Sequence, residues 1–148
     1  MEGNAMLDSQ LHFLFMRCYH ITARLISQKT QKLGLLSGQP KILECLLECV
    51  CCTPKELGRR CALDKSTITS LLAKMEGQGL VRREVQPADK RSVLIYLTDE
   101  GREKAVEVER VCLEVDRLTL ERFSQQEQET LQRFLRTVLE TLEGNTHG

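Results

Sequence analysis

The segment TPKELGRRCALDKSTITSLLAKMEG, residues 53–77, carries the strongest folding signals in the chain. Thr53 and Glu56 stand three residues apart, the spacing of a capping box, in which each side chain accepts a hydrogen bond from the other residue's backbone amide. Pro54 lies between them at the first helical position, where its missing amide hydrogen is not needed. These residues predict a short helix from Pro54 to about Arg60.

A second helix is predicted directly after the first. Residues 61–63 form the turn, Asp64 or Ser66 caps the next helix, and that helix runs to about Glu76 before two glycines end it. Two helices joined by three to four residues are typical of the helix-turn-helix, whose second helix enters the major groove of DNA.

The two faces of this second helix differ in chemistry. The inner face places apolar residues at helical spacing, namely Ile68, Leu71, Leu72 and Met75. The outer arc is small, hydroxylic or basic, with no acidic residue among Ser66, Thr67, Thr69, Ser70, Ala73 and Lys74. Such a face can approach a groove closely and reach both phosphates and base edges. The alternative is a solvent-facing helix that happens to be rich in serine and threonine.

Two β-prone runs come next, at residues 80–85 and 92–97, and predict an antiparallel hairpin. The polar residues 86–91 between them are expected to form a longer loop. Two strands do not make a stable sheet alone, so this hairpin should pack against the helices as a wing.

The wing is predicted to be basic. Its tip carries Asp89, Lys90 and Arg91, and its first strand carries Arg82 and Arg83. An arginine at a wing tip is suited to the minor groove, where negative potential is concentrated, and Asp89 could orient the Arg91 guanidinium. The alternative is a polar loop with an incidental ion pair.

Charge is distributed unevenly although the chain as a whole is neutral. Residues 53–97 contain nine basic and five acidic residues, a net charge of +4, whereas residues 98–148 have a net charge of −5. A basic centre of this kind indicates a localised surface that binds anions.

The two ends of the chain are predicted to be helical. Helices are expected over about residues 8–32, from Ser37, from Thr98, and from a second capping box at Ser124. The first helix and the helix after Thr98 carry apolar residues on two sides, which indicates that a partner covers them. The predicted fold is mainly α with a small β-hairpin wing, divided into an N-terminal dimerisation helix (1–36), a winged helix-turn-helix (37–97) and C-terminal dimerisation helices (98–148).

Together these motifs resemble the MarR family of transcriptional regulators over about residues 8–143. The stretches that carry the resemblance include Asp64-Lys65-Ser66-Thr67-Ile68-Thr69, Gly79-Leu80-Val81-Arg82-Arg83, Pro87-x-Asp89-x-Arg91-Ser92 and Leu97-Thr98-x-x-Gly101. The first residues show neither the basic region nor the apolar core of a secretory signal, so we expect the chain to remain in the cytoplasm. The resemblance implies a homodimer that binds a pseudo-palindromic operator in double-stranded DNA. It also implies a repressor that a small aromatic or phenolic effector releases.

The resemblance assigns roles residue by residue. The residues expected to face the major groove are Ser66, Thr67, Thr69, Ser70 and Lys74, and those expected in the minor groove are Asp89 and Arg91. Lys65, Arg82 and Lys90 add positive charge to the same DNA-binding surface. The candidates for an effector pocket are His12, Phe15, Tyr19 and His20, all on the first helix.

The seven cysteines leave open a different trigger. Cys49 and Cys52 have the C-x-x-C spacing of a redox pair, or of half a metal site. They lie at a predicted helix C-terminus, where the helix dipole opposes thiolate formation, so packing is the competing interpretation. Some relatives in the family sense peroxide through a cysteine early in the first helix, but this chain has His12 in that region.

Other function classes find little support in the sequence. The chain has no glycine-rich phosphate loop, H-E-x-x-H motif or nucleophile elbow, so we expect neither an enzyme nor a cofactor. No apolar run approaches the length of a membrane span, and no metal site is expected. Two alternatives remain: a thiol- or metal-responsive regulator on the same scaffold, and a winged-helix module that binds protein and not DNA.

Overall fold

A computed structural model describes residues 6–146, apart from the side chains of Lys90 and Arg91. The elements in chain order are α1 (Leu11–Thr30), a short 3-10 helix (Gln31–Leu33), α2 (Gln39–Glu48), α3 (Pro54–Arg60), α4 (Lys65–Gly77), β1 (Val81–Gln86), β2 (Asp89–Leu97), α5 (Asp99–Leu120) and α6 (Gln125–Thr146). This order confirms the predicted class, mainly α with one β-hairpin. The chain forms two compact units, one ending at Leu113 and the other beginning at Glu114, within α5.

The helix-turn-helix begins as its sequence predicts. The Thr53 hydroxyl accepts a hydrogen bond from the Glu56 amide at 3.2 Å, and the Glu56 carboxylate accepts one from the Thr53 amide at 2.9 Å. Of the two candidate caps for α4, Asp64 is the one used, because its carboxylate accepts from the Thr67 amide at 2.7 Å. The carboxylate of Asp64 accepts hydrogen bonds from the Thr67 backbone and from the Ser66 hydroxyl. These bonds favour its charged form and hold the pKa of Asp64 below its ordinary value.

The starts of two other helices differ from the prediction. Helix α2 begins at Gln39 behind Gly38, whose φ of +88° favours glycine, so Ser37 is not the cap. No side chain among the described residues caps α2; the buried Gln39 side chain instead fixes the segment before the helix, since its carbonyl oxygen accepts a hydrogen bond from the Leu36 amide at 3.0 Å. Helix α1 begins at Leu11 and not near Asp8, whose carboxylate accepts a hydrogen bond from Arg17 instead.

One hydrophobic core holds the first unit together. The predicted inner face of α4 is confirmed, since all four of its apolar side chains are buried. They pack in one cluster with residues from α2, α3, the hairpin and α5, including Ile42, Leu43, Leu46, Leu57, Val81, Ile95, Ala105 and Val108. Because α4 is packed on this side, its opposite face is presented in a defined orientation.

The hairpin is tighter than its sequence predicts. Its loop contains only Pro87 and Ala88, so the expected six-residue loop is wrong, and β2 already begins at Asp89. The register shifts beside Gln86, which pairs with Asp89, and this irregularity accommodates the extra residues of β2. Polar residues and proline indicate a turn, but backbone pairing across the strands decides its length.

Candidate nucleic-acid interface

The outer face of α4 is exposed and has no acidic residue from Lys65 to Lys74, although the carboxylate of the capping residue Asp64 lies beside Ser66 at its start. The exposed side chains on this face are Lys65, Ser66, Thr69, Ser70, Ala73 and Lys74. The first acidic residue, Glu76, is near the end of the helix, where its carboxylate accepts a hydrogen bond from Arg83 at 2.9 Å. The face is therefore shallow in its middle and positively charged at Lys65 and Lys74.

The hydroxyl groups of this face differ in what they already bind. Ser66 donates to the Asp64 carboxylate at 2.8 Å, and Thr69 donates to the backbone oxygen of Lys65 at 2.7 Å. Ser70 has no hydrogen-bond partner for its hydroxyl among residues 6–146, so this group can both donate to and accept from a ligand. Thr67 is half-buried at the edge of this face and lines a cleft on its other side.

The basic side chains of β1 have acidic partners that no sequence pattern predicted. Arg82 forms an ion pair with Glu84, and its guanidinium carbon lies 4.3 Å from the centre of the Tyr96 ring. Arg83 links β1 to the end of α4 through Glu76. Both ion pairs are partly exposed, so they orient the arginines more than they stabilise the fold. Period-2 alternation along the two strands is the signal that could have found the Arg82 cluster.

The wing tip is described only in part. Asp89 pairs with Gln86 across the turn, at the point where the two strands meet. Lys90 and Arg91 lie in β2, but their side chains are outside the described residues, and with them the expected contact between Asp89 and Arg91.

A cleft of about 420 Å³ separates α1 from the helix-turn-helix. Its lining includes Tyr19, Ala23, Ile26, Lys41, Thr67 and Leu71, so a molecule bound there would contact both α1 and α4. Of the four predicted pocket residues, only Tyr19 lines it. His12 and His20 are exposed on α1, and Phe15 is half-buried. None of the three borders this cleft or a second cleft beside it, which Cys45 and Cys61 line.

The structure places the two predicted redox cysteines in different surroundings. Cys49 is half-buried at the end of α2, where its sulfur accepts a hydrogen bond from Arg60 at 2.7 Å. Cys52 is buried, its backbone pairs with Ile95 in β2, and burial followed by the nearby Cys49 raises its pKa to about 12. The Cys52 thiol is therefore protonated at neutral pH and is a weak nucleophile.

A second pair of thiols lines an open cleft and was not predicted from the sequence. The sulfur atoms of Cys45, on α2, and Cys61, at the end of α3, are 3.4 Å apart. Their separation of sixteen residues carries no motif, so only the packing of α2 on α3 reveals the pair. Across the described part of the chain, no three side chains are grouped in a way that could hold a metal ion.

No helix among the described residues is long and apolar enough to cross a membrane.

Comparison with known proteins finds a family profile and a sequence relative that agree with each other. The profile described as the MarR family matches residues 36–93, which span α2 through the first half of β2. The organic hydroperoxide resistance transcriptional regulator of Bacillus subtilis is 34% identical, over 92% of this chain and 91% of its own length.

Solved structures agree with the sequence relatives. A probable transcriptional regulator from Pseudomonas aeruginosa is 32% identical and superposes with a TM-score of 0.76, covering 89% of this chain and 98% of its own. A mutant of MarR from E. coli in complex with operator DNA is 26% identical, also with a TM-score of 0.76, covering 94% of this chain and 99% of its own. The chain matches these proteins in fold and in sequence along nearly its whole length. It therefore belongs to the MarR family.

Proposed function

We propose that the chain is a sequence-specific regulator of transcription that binds double-stranded DNA through α4 and the wing. The observation that carries this proposal is the outer face of α4, which is exposed, has no acidic residue from Lys65 to Lys74, and is held by a capped N-terminus and a buried inner face. The relatives support it, because the matched proteins are named as transcriptional regulators and one is bound to operator DNA.

In this proposal α4 enters the major groove. Lys65 and Lys74 neutralise phosphates at the two ends of the helix, which fixes its position but not its sequence preference. Ser66, Thr69 and Ser70 reach base edges or phosphates through their hydroxyls, Thr67 approaches from the edge of the face, and small side chains let the helix backbone come close.

The wing supplies the second contact. Asp89 and Arg91 would contact the flanking minor groove, where an arginine is attracted by the concentrated negative potential, and Arg82 and Lys90 would add positive charge beside them. Arg82 must exchange its contact with Glu84 for a phosphate or a base, whereas its stacking on Tyr96 can be kept.

We propose that two copies act together as a homodimer. Helix α1 exposes Leu11, Met16 and Ile21, each more than half accessible, and α6 exposes Phe134, Leu139 and Leu142 to a similar degree. Apolar residues exposed along whole helices mark a surface that a partner covers. Residues 1–36 and 98–148 would then be the dimerisation segments, and the two copies of residues 37–97 would read half-sites one helical turn apart.

The cleft between α1 and α4 is a candidate effector site. Its volume is in the range of small-molecule sites, and Tyr19 offers a ring and a hydroxyl to an aromatic or phenolic ligand. A ligand that fits better when α1 and α4 are apart would shift the population away from the DNA-binding form, which would make the chain a repressor that its effector releases. A regulator of this kind acts by binding and not by catalysis, in the cytoplasm beside the chromosome.

The first test measures DNA binding against salt. Fluorescence anisotropy with the duplex upstream of the chain's own gene should give an affinity that falls about a thousandfold or more between 50 and 200 mM salt, as expected for roughly six phosphate contacts. A shuffled duplex should bind more weakly by a similar factor at fixed salt. An affinity that ignores both salt and sequence would instead favour a winged-helix module for a protein partner.

The second test concerns the wing. Arg91→Ala should weaken operator binding about tenfold, because one arginine contact to a groove or phosphate is worth roughly 1–3 kcal/mol. Arg122→Ala removes the same charge from an exposed position outside the hairpin and should leave the affinity unchanged. Equal affinities for the two variants would remove the wing from the proposed interface.

A further inference from the structure

The Cys45 and Cys61 thiols connect α2 to the turn of the helix-turn-helix. Their sulfur atoms are 3.4 Å apart, and the Cys61 sulfur also lies 3.5 Å from the backbone oxygen of Lys41. A disulfide has a sulfur–sulfur distance of about 2.05 Å, so the bond requires the two sulfurs to close by roughly 1.4 Å. A movement of this size is available to side chains and a helix end without unfolding either helix.

The two thiols differ in access and in acidity. Cys45 is half-buried and lines an open cleft of about 640 Å³ together with Tyr19, Lys41 and Arg60, whereas Cys61 is only 4% exposed. The hydrogen bond from Cys61, with a smaller contribution from the Arg60 charge, lowers the pKa of Cys45 to about 7 against the opposing effect of burial. The same pairing raises the pKa of Cys61.

Cys45 is therefore the nucleophile and Cys61 the resolving thiol. Near neutral pH a large fraction of Cys45 is thiolate, the form that reacts, and it faces the cleft. Cys61 remains a thiol and can supply a proton when it attacks.

We propose that Cys45 and Cys61 form a reversible intrachain disulfide when a hydroperoxide enters this cleft, and that the disulfide lowers the affinity for operator DNA. The second half rests on the proposed function. Cys45 lies on α2 and Cys61 directly follows α3, so the disulfide would link two elements of one chain.

The chemistry balances in two steps. The Cys45 thiolate attacks the terminal oxygen of the hydroperoxide ROOH, so that a sulfur–oxygen bond forms, the oxygen–oxygen bond breaks, and RO⁻ leaves and takes up a proton as ROH. Cys61 then attacks the Cys45 sulfenic acid, so that the sulfur–sulfur bond forms and hydroxide leaves with the Cys61 proton as water. Two thiols are oxidised by two electrons, and the peroxide is reduced to ROH and water.

The turn between α3 and α4 would pass the movement of Cys61 on to α4. Cys61 donates its amide to Leu57 at 2.9 Å, and Leu63 donates to Gly58 at 2.9 Å. Between them Ala62 has a φ of +52°, which an L-residue adopts only when its surroundings hold it there. A turn held this tightly cannot absorb a displacement of Cys61 internally, so α4, which begins at Lys65, shifts with it. Hydrogen bonds to DNA tolerate only a few tenths of an ångström.

The first experiment maps the bond directly. The reduced protein is treated with hydrogen peroxide or with cumene hydroperoxide, remaining thiols are blocked with N-ethylmaleimide, and peptides are identified by mass spectrometry. We expect one linked pair, Cys45 with Cys61, which dithiothreitol reverses; a faster reaction with cumene hydroperoxide would identify organic peroxides as the oxidant class that the cleft prefers.

Variants separate the two roles. In Cys61→Ser the Cys45 sulfenic acid should persist and be trapped by dimedone, whereas Cys45→Ser should give neither product. Cys18→Ser removes a thiol that is exposed on α1 and should behave as the unaltered chain. Free, alkylated Cys45 and Cys61 after oxidation, or a bond from Cys45 to a different cysteine, would overturn the proposal.

The second experiment measures operator affinity of the reduced and oxidised forms. Oxidation should weaken binding at least about tenfold, with recovery after dithiothreitol, and Cys45→Ser should bind DNA without responding to peroxide. Equal affinities of the two forms would overturn the proposed effect of the disulfide on DNA binding, whereas the mapped disulfide itself would remain established. Failure of the reduced protein to bind any duplex would overturn the proposed function. Peptide mapping would then test by itself whether Cys45 and Cys61 form a disulfide.

Discussion

Ser70→Glu should abolish operator binding at physiological salt, with an affinity at least about 100-fold weaker than that of the unaltered chain. Ser70 is exposed in the middle of the outer face of α4, and its hydroxyl has no protein partner within the described residues. A carboxylate at this position would be pressed against phosphates, and like charges brought together at an interface cost several kcal/mol. Fluorescence anisotropy on the operator duplex measures the change.

Two controls keep this result specific. Ser70→Ala removes the hydroxyl without adding charge and should weaken binding only severalfold. Gln126→Glu adds the same charge at an exposed position in the first turn of α6, where an acid suits the helix dipole, and should leave affinity unchanged. All three variants should unfold at the temperature of the unaltered chain to within a few degrees. Normal binding by Ser70→Glu would show that α4 does not face the DNA.

Gly101→Ala should lower the free energy of unfolding by about 3 kcal/mol, and with it the melting temperature by roughly 10 °C. A Cβ atom at this position in α5 would lie 1.9 Å from the backbone oxygen of Leu80 and 2.8 Å from its carbonyl carbon. The clash is with backbone, so no side-chain rotation relieves it. The same Leu80 oxygen accepts a hydrogen bond from the Thr98 amide at 3.1 Å, which ties the start of α5 to the start of the wing.

Gly77→Ala is the matched control for this prediction. Gly77 ends α4 without a positive φ, and a Cβ added there would meet no atom within 4 Å, so alanine should be neutral or stabilising by up to about 1 kcal/mol. Thermal unfolding followed by circular dichroism compares the two variants with the unaltered chain. Equal melting temperatures for Gly101→Ala and the unaltered chain would mean that α5 and the wing can separate at little cost.

Local chemistry could be predicted from the sequence because its causes lie within a few residues. The capping boxes at Thr53 and Ser124 are confirmed, with both reciprocal hydrogen bonds present in each. The apolar spacing from Ile68 to Met75 likewise identifies the buried face of α4, and therefore the opposite face that DNA would meet. The family follows from these signals together, since cap, turn, helix and hairpin occur in a single order.

Contacts between distant residues could not be predicted in this way. The hairpin loop is shorter than expected because strand pairing extends β2 back to Asp89. The stacking of Arg82 on Tyr96 depends on the strand register, and the ion pair of Arg83 with Glu76 depends on how β1 follows the end of α4. Of the four pocket candidates on α1, only Tyr19 borders the cleft, which depends on how α1 is rotated against α2 and α4.

Helix caps and apolar periodicity act over three to seven residues, so the order of the elements and the exposed face of α4 are written in the sequence itself. Which side chains meet across different elements depends on how those elements pack. The cysteines show the difference most directly: the visible C-x-x-C contains a buried, protonated thiol, while Cys45 and Cys61 come within 3.4 Å without any motif. Packing α2 against α3 creates that proximity, and no spacing along the chain encodes it.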